Sequence, residues 1–333
     1  MRIATYNIEW FNSLFDEDNR LIYNTGWSAR HNVTRIQQAD AIATVFAAMD
    51  ADAIMIIEAP DDNRRRSTVQ ALQGFAEAYG LRTRAALIGY ANDTQQEIAL
   101  LYDPLVLTAR HDPQETDEAP RFDRAFRFDL DTDAAPDLVR WSKPPLEVAL
   151  TTPAGQGLRL IGVHAKSKAP YGARNDAEAM RIAIENRRKQ LAQCIWLRHR
   201  VEQHLAQGDR LIVLGDFNDG PGLDEYEQLF GRSGVEIVLG EGDGARLYDP
   251  NARAVPSGQV PGPTTARFWL GPDQDTMSAL LDYIMVSPEV LDLTPSWRIW
   301  HPDDDPLCAS DADLRAALLT ASDHFPVTVD LDL

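Results

Sequence analysis

The chain has 333 residues, 44% of them hydrophobic, and a net charge of −19 from 51 acidic and 32 basic side chains. That balance excludes a protein that holds nucleic acid by coating its phosphates with lysine and arginine. No run of about 18 apolar residues could span a bilayer, and the opening MRIATYNIEW lacks the apolar stretch of a secretory signal. A soluble globular protein of the cytoplasm is expected. Its two cysteines, Cys194 and Cys308, fit neither a disulfide framework nor a zinc pattern, and no stable protein partner is evident.

In chain order, strand-like and helix-like patterns alternate from the start. Residues 2–10 read as a strand. Residues 31–50 carry Val33, Ile36, Ala39, Ile42, Val45, Phe46 and Met49 at three-and-four spacing, which predicts an amphipathic helix. A buried strand over 51–59 precedes a short helix over 67–80, closed by Gly80. Residues 98–104 and 105–110 predict two strands joined by a turn at Asp103-Pro104. Residues 112–145 are acidic and loop-like, an insertion or an irregular edge.

Residues 158–166 return as a strand. The longest helix spans about 176–207, with Met180, Ile184, Leu191, Ile195, Val201 and Leu205 along one side. Leu211, Ile212, Val213 and Leu214 form a buried strand ahead of turn residues. A Gly- and Pro-rich stretch near 240–263 follows, and two more strands close the chain at 280–287 and 324–333. No linker interrupts the pattern, so one domain over 1–333 is expected. Strands outnumber helices, which predicts sheets packed on each other and flanked by helices.

Polar residues recur at the ends of these apolar strands. Asn7 and Glu9 lie two apart, on one face of the first strand. Glu58 ends the second, His164 follows LIGV, and Asp216 and Asn218 close LIVL. Asp282 precedes YIMV, and Asp323 and His324 precede the last strand. Buried without partners such groups are costly, and strand-end loops are where sites gather. Each alone could be a turn or cap residue. Together they supply what a divalent-metal phosphoester site needs: oxygen ligands for Mg²⁺, an acid or histidine to activate water, and donors for phosphate oxygens.

TYNIEW, the strand-end Glu58, GVHAKSK, GDFND, LDYIMVS and SDHFPV, from residue 5 to residue 327, resemble the ordered motifs of the endonuclease/exonuclease/phosphatase superfamily. The resemblance implies a four-layer α/β/β/α sandwich of two packed, mostly antiparallel sheets flanked by helices. It also implies a Mg²⁺- or Mn²⁺-dependent hydrolase. Glu58 would be the principal metal ligand, with Asn7 and Asp323 beside the metal and Glu9 acting through water. Asp216 would orient or deprotonate the attacking water, and Asn218 would donate to the phosphate oxygens. His324, its tautomer fixed by Asp282, would contact the phosphate or assist proton transfer, and His164 would stabilise charge on the non-bridging oxygens.

Ile57 stands where the family often has Gln, and Gly162 and Val163 stand where an Asn is common before the histidine. GVHAKSK does not resemble the Tyr-centred motif of abasic-site nucleases, so abasic-site repair is disfavoured. It is similar to the version in bacterial nuclease-like members, where Lys166 and Lys168 would sit near the phosphate; an exposed edge decorated with lysine would look the same. Lys143 is a third basic candidate. Arg64–66, and Arg187, Arg188 and Lys189 on the long helix, read as solvated runs. Tyr171 and Trp269 read as packing residues rather than stacking surfaces, and residues 251–272, with Phe268 and Trp269, are a candidate surface loop. The expectation is a phosphodiesterase acting on nucleic acid or nucleotides. The alternatives are a phosphatase or lipid phosphodiesterase, for which a membrane-surface substrate stays open, and an inactive binding module.

Overall fold

Two βαβ crossovers organise the chain. The computed structural model describes residues 1–128, 137–221, 231–242, 244–252, 262–269 and 276–333. In it, β1 (Arg2–Asn7) runs parallel to β2 (Ala53–Ala59) through α1 (Arg35–Met49). The second unit repeats this: β9 (Gly157–His164) runs parallel to β10 (Leu211–Asp216) through α3 (Asp176–Gln207). Parallel neighbours need such a long crossover.

The first large sheet has the order β14 (Ser296–Ile299), β15 (Val327–Asp330), β1, β2, β4 (Glu97–Tyr102) and β3 (Ala85–Ile88). The second has the order β13 (Asp282–Val286), β10, β9, β8 (Leu146–Thr151) and β5 (Thr108–His111). All their pairings besides the two crossovers are antiparallel. Two small hairpins pair β6 (Phe126–Phe128) with β7 (Asp137–Val139) and β11 (Ala266–Trp269) with β12 (Thr276–Ala279).

Period-two alternation divides each strand between two cores. Ile3, Met55 and Ile57 of the first sheet meet Leu160, Ile212, Leu214 and Ile284 of the second in the middle of the molecule. On the outer side of the first sheet, Tyr6, Ile54 and Ile56 lie under α1, α2 (Thr68–Ala78) and α7 (Ala312–Ala321), with Phe46, Phe75 and Leu318. Ile161, Val163 and Val213 pack under α3 and α4 (Gly234–Leu239), with Leu191, Trp196 and Val235. The short helices α5 (Pro288–Leu291) and α6 (Pro306–Ser310) lie in connections. Helices, sheet, sheet and helices make the expected four layers. No helix among the described residues is long and apolar enough to cross a membrane.

Departures from the sequence expectations have local causes. α1 starts at Arg35 because Thr34 and Gln37 form a capping box there. The strand expected over 105–110 begins only at Thr108. Asp103 accepts from Leu105 N through its side chain and from Val106 and Leu107 N through its carbonyl, which holds the chain in a turn. β3 went unread, being four half-buried residues with no alternation. The 112–145 segment is an irregular but packed edge: Phe122, Phe126 and Trp141 stack around Trp196 of α3, whose indole donates to Pro120 O at 2.9 Å. Part of it, 129–136, lies outside the described residues, as do 253–261 and 270–272 of the candidate surface loop. The first half of α3 does not follow the expected apolar side: Met180 is exposed and Arg187 is buried.

Candidate active site

The same alternation that builds the middle core aims the polar strand ends into it. Asn7 follows Ile3 and Thr5, His164 follows Leu160 and Gly162, and Asp216 follows Ile212 and Leu214. Asp216 is in register with His164 on one side and Asp282 on the other. Asp323 and His324 arrive beside the end of β1 because β15 runs antiparallel to it. Ser322 fixes this junction: its hydroxyl donates to Asn7 O at 2.8 Å and accepts from Glu9 N and His324 N.

Glu58 should break this pattern. Following Ile54 and Ile56, its side chain belongs on the helix-covered face. A register shift between Ile57 and Ala59, with Glu58 itself at φ 62°, turns it into the cleft instead. Left-handed backbone at a non-glycine residue is strained, and such strain gathers at functional sites. Glu9 departs in another way. β1 ends at Asn7, and Glu9 sits in the turn beyond, next to Trp10 at φ 58°. The expectation that Asn7 and Glu9 share one strand face is corrected accordingly. Gly215 is obligatory. It has φ 138°, and a Cβ there would lie 2.0 Å from Val163 O of the neighbouring strand.

Asp216 is the hub. Its Oδ2 accepts from Asn7 Nδ2 at 3.0 Å and Asn218 Nδ2 at 2.9 Å, and its Oδ1 accepts from Asn218 N at 2.7 Å. His164 Nε2 lies 3.5 Å from Asp216 Oδ2 and 4.0 Å from Glu58 Oε1. Burial, with Asp282 and Glu58 nearby, pushes the Asp216 carboxyl up to about 7 although His324 opposes the rise. His324 Nδ1 bonds Asp282 Oδ2 at 2.8 Å. Burial works against charge on this ring, but Asp282, Asp216 and Asp323 outweigh it and keep His324 protonated well above the usual histidine range. His164 is held neutral by burial and by the cations Lys143, His324 and Lys166 around it. Asn218 donates its remaining amide hydrogen to Ala165 O at 3.1 Å, so both donors are engaged within the protein. The expected bond to a phosphate oxygen would require one of these to open.

Asn7, Glu58 and Asp323 line one cleft of about 1350 Å³ with Glu9. The Asn7 amide nitrogen donates to Asp216, while its Oδ1 is buried with no hydrogen-bond partner among the described residues. Burial pushes Glu58 up, aided by Asp323, and pushes Glu9 up to about 7, aided by Asp323 and Glu58. An unsatisfied amide oxygen among crowded carboxylates is a donor set for a hard divalent cation. Beside it, Asp216, Asp282 and His324 bring ligand atoms within 4.8 Å of one another. There the His324–Asp282 hydrogen bond already satisfies one ring nitrogen.

The cleft walls correct several expectations. Tyr171 and Trp269 do not pack inside: they are 80% and 54% exposed and line the cleft with Trp10, Phe268, Met180 and Met277. β9 ends at His164, so Lys166 and Lys168 are not on a strand. Lys168 lines the cleft and pairs with the buried Asp219, whereas Lys166 is not part of the lining. Lys143 does reach in, with Nζ 3.2 Å from His164 Nε2 and its charge disfavoured by burial although Glu58 and Asp216 support it. Arg187, expected at a solvent face, is buried 3.6 Å from Asp219. Arg64–66 stay on a loop outside the cleft lining. Sequence reading missed Arg30, which pairs with Glu9, because a lone arginine in a loop carries no periodic signal.

Three comparisons bear on this geometry. The profile of the Endonuclease/Exonuclease/phosphatase family matches residues 4–324. No curated protein matches the sequence. Among solved structures, truncated TDP2 of Caenorhabditis elegans is 15% identical with a TM-score of 0.51, covering 98% of this chain and 96% of its own. The 3′-5′ exonuclease NExo of Neisseria meningitidis is 16% identical with a TM-score of 0.51, covering both chains completely at 100%. TDP2 of D. rerio, solved with a single-strand DNA product, is 13% identical with a TM-score of 0.51, covering 99% and 97%. At these identities the likeness is one of fold.

Proposed function

The chain belongs to the Endonuclease/Exonuclease/phosphatase family, and from that premise we propose that it is a Mg²⁺- or Mn²⁺-dependent phosphodiesterase acting on nucleic acid or nucleotides, working as one domain over residues 1–333. The observation that carries the reading is the position of Asp216. It is held by Asn7 on the oxygen-donor side of the cleft and by Asn218 on the other, with His164 and the His324–Asp282 pair beside it.

In this reading Asn7, Glu58 and Asp323 hold the divalent ion, which supplies charge to polarise the phosphoryl group. The chain's own groups do the rest. Asp216, raised toward neutrality, takes the proton of the attacking water, the role for which a base near ambient pH is best matched. Asn218 fixes the rotamer of Asp216. His324, cationic through Asp282, faces the phosphoryl oxygens and lends them a proton or a charge-assisted hydrogen bond. Lys143, with its Nζ against Nε2 of the neutral His164, adds positive potential where negative charge develops.

The substrate class follows from the walls. Trp10, Tyr171 and Trp269 offer exposed rings around the site, and bases of any sequence stack on such rings. With a net charge of −19 the protein steers a long polyanion poorly. A nucleotide, a strand end or a short single strand suits both facts better than a duplex. The related fold of D. rerio TDP2 holds a single-strand DNA product.

Hydrolysis of bis-p-nitrophenyl phosphate against p-nitrophenyl phosphate, with Mg²⁺ or Mn²⁺ and an EDTA control, tests the reading. Metal-dependent cleavage of the diester supports it, and oligonucleotides come next. Cleavage of the monoester alone replaces it with a phosphatase.

A further inference from the structure

Arg30 lies in the loop before α1, and its side chain is only 12% exposed. One terminal nitrogen pairs with the Glu9 carboxylate and lies 4.0 Å from Asp323 Oδ1. The other donates to Leu319 O at 3.3 Å, near the end of α7. Its Nε is buried without a hydrogen-bond partner among the described residues. The main chain of the acid it grips is anchored: Gln38, buried in α1, donates to the backbone Glu9 O at 2.8 Å and to Ala321 O at 3.2 Å. A guanidinium is charged at any ordinary pH and does not leave a carboxylate readily in a half-dry cleft.

We propose that Arg30 is the resident cation of the metal-binding side of the cleft and limits that side to one divalent ion. This rests on the proposed placement of the ion at Asn7, Glu58 and Asp323. When ionised to receive a cation, Glu9, Glu58 and Asp323 would carry three negative charges. Arg30 offsets one on the Glu9 and Asp323 side, and Lys143 and His324 act on Glu58 from the other side. The charge left over is no more than a single divalent cation neutralises. With Glu9 engaged by Arg30, the ion is left the Asn7 amide oxygen and the Glu58 and Asp323 carboxylates, a set that Mg²⁺ completes with water. A second divalent ion would have to displace Arg30 or accept its repulsion at close range, where like charges in a low-dielectric site cost heavily.

The test is calorimetric titration of Mn²⁺ into the intact protein, with thermal melting in EDTA to show that each variant is folded. Wild type should bind one Mn²⁺. Glu9→Gln should also bind one, more weakly by on the order of tenfold, because it leaves the Arg30 charge unbalanced beside the ion. Arg30→Gln should either bind a second Mn²⁺ or tighten the first by on the order of tenfold or more. The double variant Arg30→Gln/Glu9→Gln should return to one ion. Arg30→Lys, which keeps a cation on a flexible stem, should retain one ion, and Arg30→Met takes the place of Arg30→Gln if that variant does not fold. Two ions in wild type, or Arg30→Gln binding as wild type does, overturns the proposal. Glu58→Gln separates this from the reading beneath it. If Glu58→Gln abolishes binding while Arg30→Gln changes nothing, only the role of Arg30 fails. If Glu58→Gln binds Mn²⁺ normally, the ion is not at Glu58 and the placement itself falls.

Discussion

The units β1-α1-β2 and β9-α3-β10 are built alike, yet the first delivers Asn7 and Glu58 to the cleft and the second delivers His164 and Asp216. The first group is an oxygen set with an amide oxygen unsatisfied among the described residues and carboxylates raised by burial and, to a lesser degree, by one another. The second is a hydrogen-bonded set in which nearly every polar atom of Asp216 has an internal partner. A parallel crossover fixes where a strand ends but not what chemistry it carries there. Two copies of one geometry can therefore face each other with different tasks, one gathering positive charge and the other managing a proton.

The largest expected effect separates these tasks. Asp216→Asn keeps the shape of the hub but removes the base, and kcat on a diester should fall by on the order of 10³-fold. The protein should still gain thermal stability from Mn²⁺, since binding to the folded state alone raises stability. Glu58→Gln should lose that Mn²⁺-dependent rise in melting temperature as well as activity. If Asp216→Asn loses the rise and Glu58→Gln keeps it, the two halves have been assigned the wrong way round.

Gly215→Ala attacks the scaffold on the proton-handling side. Its Cβ would collide with Val163 O at a backbone angle that disfavours alanine, so urea unfolding should show a loss on the order of 3 kcal/mol or more. The corresponding strained residue on the other side, Glu58 at φ 62°, is not a glycine. Asp282→Asn should lower kcat by on the order of 10²-fold with little change in KM, because it weakens the charge on His324 without touching the oxygen set.

The smallest effect is on stability against pH. Glu97, buried in β4 next to the bulge of Glu58, is pushed from 4.5 up to about 8 by burial although Asn92 N and Asp62 N donate to it. The unfolded chain releases this proton near the ordinary glutamate range, whereas the folded chain keeps it to about 8. Stability is therefore full below the unfolded value and declines as pH rises toward the folded one, by at most about 1.4 kcal/mol per pH unit. Urea unfolding at pH 5.5 and 7.5 should show a flatter dependence for Glu97→Gln than for wild type.

Apolar strand runs ending in acids, amides and histidines were legible because period two is a property of the chain itself. Ile212, Leu214 and Asp216 share a face in any extended strand, so the motifs and their ends were readable without a fold. The four layers followed from helices alternating with buried strands. What could not be read is whatever depends on a neighbour distant in sequence. Glu58 faces the cleft only because β2 bulges against β4. Arg30 meets Glu9 only through the packing of its loop against α7. Tyr171 and Trp269 are walls rather than core because they stay largely exposed among the described residues, with one face of Trp269 stacked on His31. Arg187 is buried because the first half of α3 reaches Asp219 across the end of β10. Composition, periodicity and the order of the motifs were set by the sequence alone. The tertiary structure decided which side chains share a solvent-poor space, since burial and mutual charge are properties of the assembled sheets and not of any one strand.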